Sequence, residues 1–198
     1  MQQTEIPLFP LNTVLFPGGV LPLRIFERRY LGMVSNCMKN AGGFGVVAIQ
    51  EGREAGEKVR CHGIGTLARI VDFDRLEDGL LGITCVGEQR VRVLAQRVQD
   101  DQLLLGQVEW LPAEPDSPLP RNADLLLTLL KNILSREEIR PYTRFLVPDW
   151  ESAAWVGNRL AEILPLPLEV KQALLVLSDP VQRLDVVNAM LREQQPAQ

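Results

Sequence analysis

The side chains best equipped for chemistry in this chain are three cysteines, Cys37, Cys61 and Cys85, and one histidine, His62. A structural metal or redox centre needs close ligand pairs, because several donors must converge on one ion or two sulfurs on one bond. The cysteines instead recur at an equal spacing of 24 residues, and His62 adjoins Cys61 without a second close pair. They read as buried free thiols, suited to reducing conditions, in a chain large enough to fold without disulfides. A serine, histidine and aspartate triad would have to rest on His62, and no serine is presented beside it. No Gly-Lys-hydroxyl phosphate loop, His-Glu-x-x-His helix or Gly-x-Ser-x-Gly elbow occurs. Gly63-Ile64-Gly65 continues as Thr66-Leu67-Ala68, an incomplete dinucleotide fingerprint that reads as a turn between strands. Spacing alone does not eliminate a serine-lysine pair or a distributed carboxylate pair. Asp72, Asp74, Glu77 and Asp78 are interrupted by Phe73 and Leu76, opposed by Arg75 and closed by Gly79, a solvated hairpin rather than a cation loop. The chain is therefore expected to be no enzyme and to carry no cofactor or metal.

A second group with chemical capacity is Arg24, Arg28 and Arg29 beside Phe26 and Tyr30, tempered by Glu27. Such a cluster suits a phosphate or an acidic peptide, unless the aromatics pack inward and the arginines face water. Arg90 and Arg92 share a strand face and would extend it. The whole chain argues against a nucleic-acid surface: 21 basic residues stand against 25 acidic, for a net charge of -4. The uncharged stretch 6–23 holds four prolines, too many for a membrane span, and the first five residues lack the basic start of a signal peptide. A cytoplasmic protein without membrane contact is expected.

These groups need a scaffold, and 198 residues at 46% hydrophobic content allow one large domain or two small ones. Fourteen of the 15 glycines precede residue 113, and residues 111–120 carry four prolines. The boundaries expected are a strand-rich module over 1–112, an extended linker over 113–120 and a helical module over 121–198. Apolar runs predict strands at 6–9, 20–24, 45–49, 64–72, 80–86, 90–97 and 103–110. Phe26, Tyr30, Met33 or Val34, and Cys37 recur at helical spacing, predicting one early helix from Phe26 to Met38 that stops at 40–43. Seven short strands with one helix favour an α+β fold built on a small antiparallel β barrel. In the second half, the leucine-rich run 124–134, a helix capped by Asp149, one starting near Pro167, and one capped by Asp179 with Pro180 at its first position predict a four-helix bundle.

The strings Ile6-Pro7-Leu8-Phe9-Pro10-Leu11, Val14-Leu15-Phe16-Pro17-Gly18 and Leu21-Pro22-Leu23-Arg24-Ile25-Phe26-Glu27 resemble the N-terminal substrate-binding domain of Lon proteases. Tyr30, Gly63-Ile64-Gly65, Cys85-Val86-Gly87, Leu164-Pro165-Leu166 and Lys171-Gln172-Ala173-Leu174-Leu175 are similar to later parts of that pattern, so the resemblance spans nearly the whole chain. Glu27-Arg28-Arg29-Tyr30 departs from it, since the family often carries Glu-Pro-Arg-Tyr there. The resemblance implies a barrel of the pseudouridine-synthase-and-archaeosine-transglycosylase (PUA-like) type followed by helices. It also implies a role in recognising protein substrates, in a form standing apart from the ATPase and peptidase modules.

The function expected from this is a non-catalytic module that binds unfolded or flexible polypeptide, in company with a protease or chaperone. Phe16, Pro17, Phe26 and Tyr30 are the candidate apolar contacts, with Arg24 and Arg29 at the rim. RNA binding and a structural adaptor for one folded partner are the competing readings, alongside a small hydrolase.

Overall fold

A computed structural model describes residues 3–52 and 59–193, and the chain divides into two compact units, Met1–Pro112 and Ala113–Gln198. The first unit is a sheet of β1 (Gln3–Leu11), β2 (Val20–Ile25), β3 (Phe44–Glu51), β4 (Arg60–Cys61), β5 (Ile64–Arg75), β6 (Leu81–Val98) and β7 (Leu104–Trp110), with helix α1 (Arg28–Lys39) between β2 and β3. The pairing follows β1-β7-β6-β5-β3, and β1 also pairs with β3, so the path returns to its start. That last pairing is parallel, Leu8 opposite Gly45 through Leu11 opposite Ala48. It departs from the wholly antiparallel arrangement expected, because α1 carries the chain between strands that are not hairpin neighbours.

In β3 and the second half of β1 both faces are buried, which is why these strands read as near-continuous apolar runs. In β1, Ile6 and Leu8 join one cluster with Val47, Val91 and Val108, while Phe9 and Leu11 join another with Ile25, Phe44, Ile83, Cys85 and the helix residues Tyr30, Met33, Val34 and Cys37. Leu8 is the tight fit. A methyl group on Gly45 would lie 2.8 Å from Leu8 Cδ2, and one on Gly106 would lie 2.7 Å from Leu8 Cδ1.

Residues 12–19 lie against the sheet through backbone contacts. Gly18 N donates to Gly87 O at 2.7 Å, Gly87 N donates to Gly19 O at 2.8 Å, and the buried Thr66 hydroxyl donates to Leu15 O at 2.6 Å. The expected strands 80–86 and 90–97 are therefore one strand, Leu81–Val98. Gly87 is a point of close approach inside it, where a Cβ would overlap the Phe16 carbonyl oxygen. Gly65 likewise lies within β5, and only residues 62 and 63 form the turn. Helix α1 starts at Arg28, so Phe26 lies outside its buried stripe of Tyr30, Met33, Val34 and Cys37. It stops where Gly42 N turns back to Cys37 O at 2.9 Å, next to Ala41 at a positive φ of 49°.

The second unit holds α2 (Asp124–Leu134), the one-turn α3 (Arg140–Thr143), α4 (Ala153–Ile163), α5 (Leu168–Val176) and α6 (Pro180–Glu193), with two further 3-10 turns. This replaces the expected four-helix bundle, because residues 137–143 wind into short turns that no apolar periodicity announces. Helix α4 packs on α2, α5 and α6. Its cap is Ser152, whose Oγ accepts from Trp155 N at 3.2 Å, and not Asp149. Asp179 does cap α6, its Oδ1 accepting from Val181 N at 2.9 Å and Gln182 N at 3.2 Å.

The proline-rich stretch 113–120 is strapped to this unit. Leu119 N donates to Glu151 O at 2.6 Å, Ala153 N donates to Ser117 O at 2.9 Å, and the fully buried Arg183 holds Glu114 through two nitrogens at 2.5 and 2.8 Å. Arg183 also donates to Leu174 O at 2.9 Å and to Leu177 O, closing the open carbonyl end of α5. No helix among the described residues is long and apolar enough to cross a membrane.

Three outcomes follow for stability. Gly87→Ala should lower the unfolding free energy by more than about 2 kcal/mol through backbone overlap. Gly32→Ala, on the open face of α1 with no atom within 4 Å of the added methyl, should raise it by up to about 1 kcal/mol; denaturant titration reads both. Glu114→Ala should cost about 3–5 kcal/mol in the same assay, because it strips a buried guanidinium of its counter-charge.

Candidate functional site

The six residues singled out from sequence fall at two places: Phe16 and Pro17 in the loop that meets Gly87, and Arg24, Phe26, Arg29 and Tyr30 around the start of α1. Phe16 is fully buried beneath the loop that Gly87 receives, and Tyr30 is 5% exposed, stacked on Phe9 with ring centroids 4.0 Å apart. Neither ring faces water in this structure; Tyr30 belongs to the core between α1 and the sheet, and Phe16 is buried outside that cluster. Pro17 is half-buried in the latched loop.

Arg29 is a positioning residue. Its guanidinium pairs with Glu27 at 2.8 Å, donates to Gln102 O at 2.9 Å and lies 4.7 Å from the Tyr30 ring centroid. It thereby ties the first turn of α1 to the turn between β6 and β7, where Gln102 sits at a positive φ of 69°. Arg24 is exposed on β2 and pairs with Asp78 in the β5-β6 turn. Phe26 alone among the aromatics of the set stands in solvent, at 62% exposure. Arg90, expected on the same face as Arg92, is 3% exposed, with its carbonyl accepting from Leu111 N at 3.0 Å. Arg92 lies outside and pairs with Glu109 at 3.0 Å. The basic surface is thus smaller than the arginine count suggests: Arg24, Arg29 and Arg92 are each paired with a carboxylate, and Arg28 is exposed.

The structure adds apolar side chains that the sequence reading passed over. Leu31 and Met38 are exposed on α1, and Val71 and Phe73 are exposed on β5, Phe73 at 64%. Phe73 pairs with Ile83, and Ile83 pairs with Leu23. Residues directly opposite in antiparallel strands share a face, so Phe73 lies on the sheet face that α1 covers. Its position between Asp72 and Asp74 was the available signal, since period-two alternation in a strand exposes one of its two faces. Phe26, Leu31, Met38 and Phe73 thus border one layer, formed by α1 and the sheet beneath it.

Chemical groups are sparse in the described residues. No set of three or more histidines, cysteines, aspartates or glutamates there lies close enough to hold a metal ion. All three cysteines are free thiols, with Cys37 and Cys85 buried and Cys61 half-buried. Burial pushes the Cys37 thiol up, the Cys61 thiol up to about 11 and the Cys85 thiol up to about 12, the last helped by proximity to Cys37. All are protonated, poorly nucleophilic groups at neutral pH.

A family model described as the ATP-dependent protease La (LON) substrate-binding domain matches residues 5–193. The chain is 29% identical over 183 residues to the Lon protease of Flavobacterium johnsoniae, covering 88% of this chain and 22% of that relative. It is 25% identical over 199 residues to the Lon protease of Escherichia coli, covering 98% of this chain and 25% of the relative. The chain therefore spans about a quarter of the length of these curated relatives. Among solved structures, a Lon N-terminal domain protein from Xanthomonas campestris is 39% identical with a TM-score of 0.76, over 94% of this chain and 98% of that one. The N-terminal domain of the Mycobacterium avium complex Lon protease shares the fold at 19% identity and a TM-score of 0.66, over 97% and 100% of the two chains.

Raised thiol pKa values have a direct readout. A disulfide reagent at pH 8 should label the native chain slowly, since roughly one Cys61 in a thousand is ionised there. Full denaturation should release all three thiols at once. Because the unfolded chain gives up these protons first, the same burial makes stability fall as pH rises above the ordinary thiol range.

Proposed function

The chain belongs to the LON substrate-binding domain family, and we propose that it is a non-catalytic module that binds unfolded or flexible segments of other proteins. The observation that carries this reading is the match of one substrate-binding family model to residues 5–193. The pairing path that returns to its start supports reading the first unit as the small PUA-like barrel of that family. The contact surface in this proposal is the border of the α1 layer: Phe26, Leu31, Met38 and Phe73 as apolar contacts, with Arg24 at the rim. Tyr30 supports this surface from beneath, Arg29 fixes the helix start, and Phe16 and Pro17 lie outside it in the loop at Gly87.

Physically, an unfolded segment gains by placing its apolar side chains against these rings, each buried phenyl contributing up to about 1.5–3 kcal/mol. A folded protein keeps such side chains inside and gains nothing. Discrimination then needs no nucleotide and no covalent step. A protease or chaperone is the proposed recipient of the captured chain.

The test is fluorescence-anisotropy titration of a labelled, permanently unfolded apolar polypeptide, with a folded protein and an RNA oligomer as controls. Saturable binding to the unfolded chain alone is expected, weakened about tenfold by Phe26→Ala. Binding that prefers the folded control would turn the reading into a specific adaptor. Salt-sensitive binding of RNA alone would replace it with a nucleic-acid function.

A further inference from the structure

Beyond Ala68, β5 has β6 on one side and no strand on the other among the described residues. Its orientation there follows from one bond. Leu76 N donates to Leu80 O at 2.9 Å, so by antiparallel alternation residues 74 and 72 exchange backbone bonds with β6, while residues 73 and 75 turn their N–H and C=O groups outward. The outward N–H groups of Phe73 and Arg75 are occupied locally: Phe73 N donates to Asp72 Oδ1 at 3.0 Å, and Arg75 N donates to Asp74 Oδ1 at 2.7 Å. The strand is therefore an open edge whose donors rest on its own side chains. The edge also has two different faces, with exposed Phe73 on the α1 side and Asp72 and Asp74 on the other. The hairpin 72–78 carries four carboxylates against one arginine, with Asp78 paired to Arg24 of β2. The far edge of the same three-stranded piece, β2, contains Pro22 and has one backbone donor fewer.

We propose that the outer edge of β5 at 72–75, past the bulge between Ile70 and Asp72, is a strand-addition site for an extended segment in which lysine or arginine alternates with apolar residues. This rests on the polypeptide-binding reading and names the class of chain it takes. An apolar residue sits opposite Phe73 and exchanges backbone bonds with it, its carbonyl replacing the Asp72 carboxylate as the acceptor of Phe73 N–H. The two displaced carboxylates turn to the cationic side chains opposite residues 72 and 74, on the other face. Charge sets the occupant: an acidic segment would bring like charges directly across the strand pair. The geometry also sets the register, because a one-residue slip would place lysine on Phe73.

The experiment titrates the full chain with labelled seven-residue peptides: alternating lysine and valine, the same peptide with glutamate for lysine, and the lysine peptide N-methylated either at every valine or at every lysine. The lysine peptide is expected to bind at least tenfold tighter than the glutamate one. Methylation at the valines should weaken it at least tenfold, and methylation at the lysines should leave it within about twofold. Phe73→Ala should weaken binding, and Asp72→Asn with Asp74→Asn should erase the charge preference, both in variants whose melting matches that of the parent. Equal affinity for the lysine and glutamate peptides, or equal loss from the two methylation patterns, would overturn the proposal. If either occurs while the uncharged unfolded polypeptide still binds, the edge site fails and the broader reading stands. If the lysine peptide binds in register while that polypeptide does not, the edge site stands and the broader reading falls.

Discussion

The ring of the first unit depends on how closely β1 can approach its two neighbours around Leu8. That side chain is fully buried; Gly45 stands opposite it on β3, and Gly106, opposite Ile6 on β7, also lies against it. Without side chains there, two strands close on a leucine from either side, and β1 can complete both a parallel and an antiparallel ladder. Packing of this kind tolerates little added volume, since interiors are as dense as organic crystals. The ring therefore stands or falls on three residues, and the rest of the unit is built outward from it. One sheet face receives α1, and β6 at Gly87 and β5 at Thr66 receive the loop 12–19.

That dependence gives a physical meaning to the strings by which the family is recognised. Val14-Leu15-Phe16-Pro17-Gly18, Gly63-Ile64-Gly65 and Cys85-Val86-Gly87 lie far apart in sequence, yet they meet at one place. Gly18 and Gly19 bond to Gly87, Leu15 O accepts from Thr66, and a Cβ on Gly65 would meet the Val46 backbone. These recurring residues maintain backbone contact, and their side chains contribute little chemistry of their own. A family signature built this way specifies a frame. It leaves side chains outside it exposed, such as Phe26 before α1 and Phe73 on the β5 hairpin, the residues of the proposed contact surface.

This division explains what could be read in advance. The α+β class, the early helix and its stop at 40–43, and the Asp179-Pro180 start of α6 follow from local rules: apolar periodicity, a left-handed stop and a side-chain cap. The parallel β1-β3 pairing was not legible, because no local signal says which strands a crossover helix will bring together. Gly87 was legible as a glycine but not as a contact, since a turn and a close approach leave the same mark in sequence. The aromatic set divides for the same reason. Phe16, Tyr30 and Phe26 are chemically alike, and only tertiary packing decides that two are buried and one is exposed. Phe73 was seen as an interruption of an acidic run, although its alternation with Asp72 and Asp74 already described a two-faced strand.

The two units solve the problem of holding irregular backbone by opposite means. In the first, glycines let backbone meet backbone directly. In the second, where only Gly157 occurs, long cations reach across: Arg183 gathers Glu114 and two carbonyls of the α5 end, Arg159 pairs with Glu162 at 2.9 Å, and Lys171 Nζ donates to Glu162 O at 2.6 Å. A buried guanidinium is costly to desolvate and is retained where several acceptors converge on it. Here those acceptors are the open ends of helices and a proline-rich strap that cannot pair as a strand. Both solutions fix the backbone tightly without using the exposed apolar residues at all. Phe26, Leu31, Met38 and Phe73 stay exposed on a frame whose backbone is fixed without them, which is why the proposed contact surface is placed there.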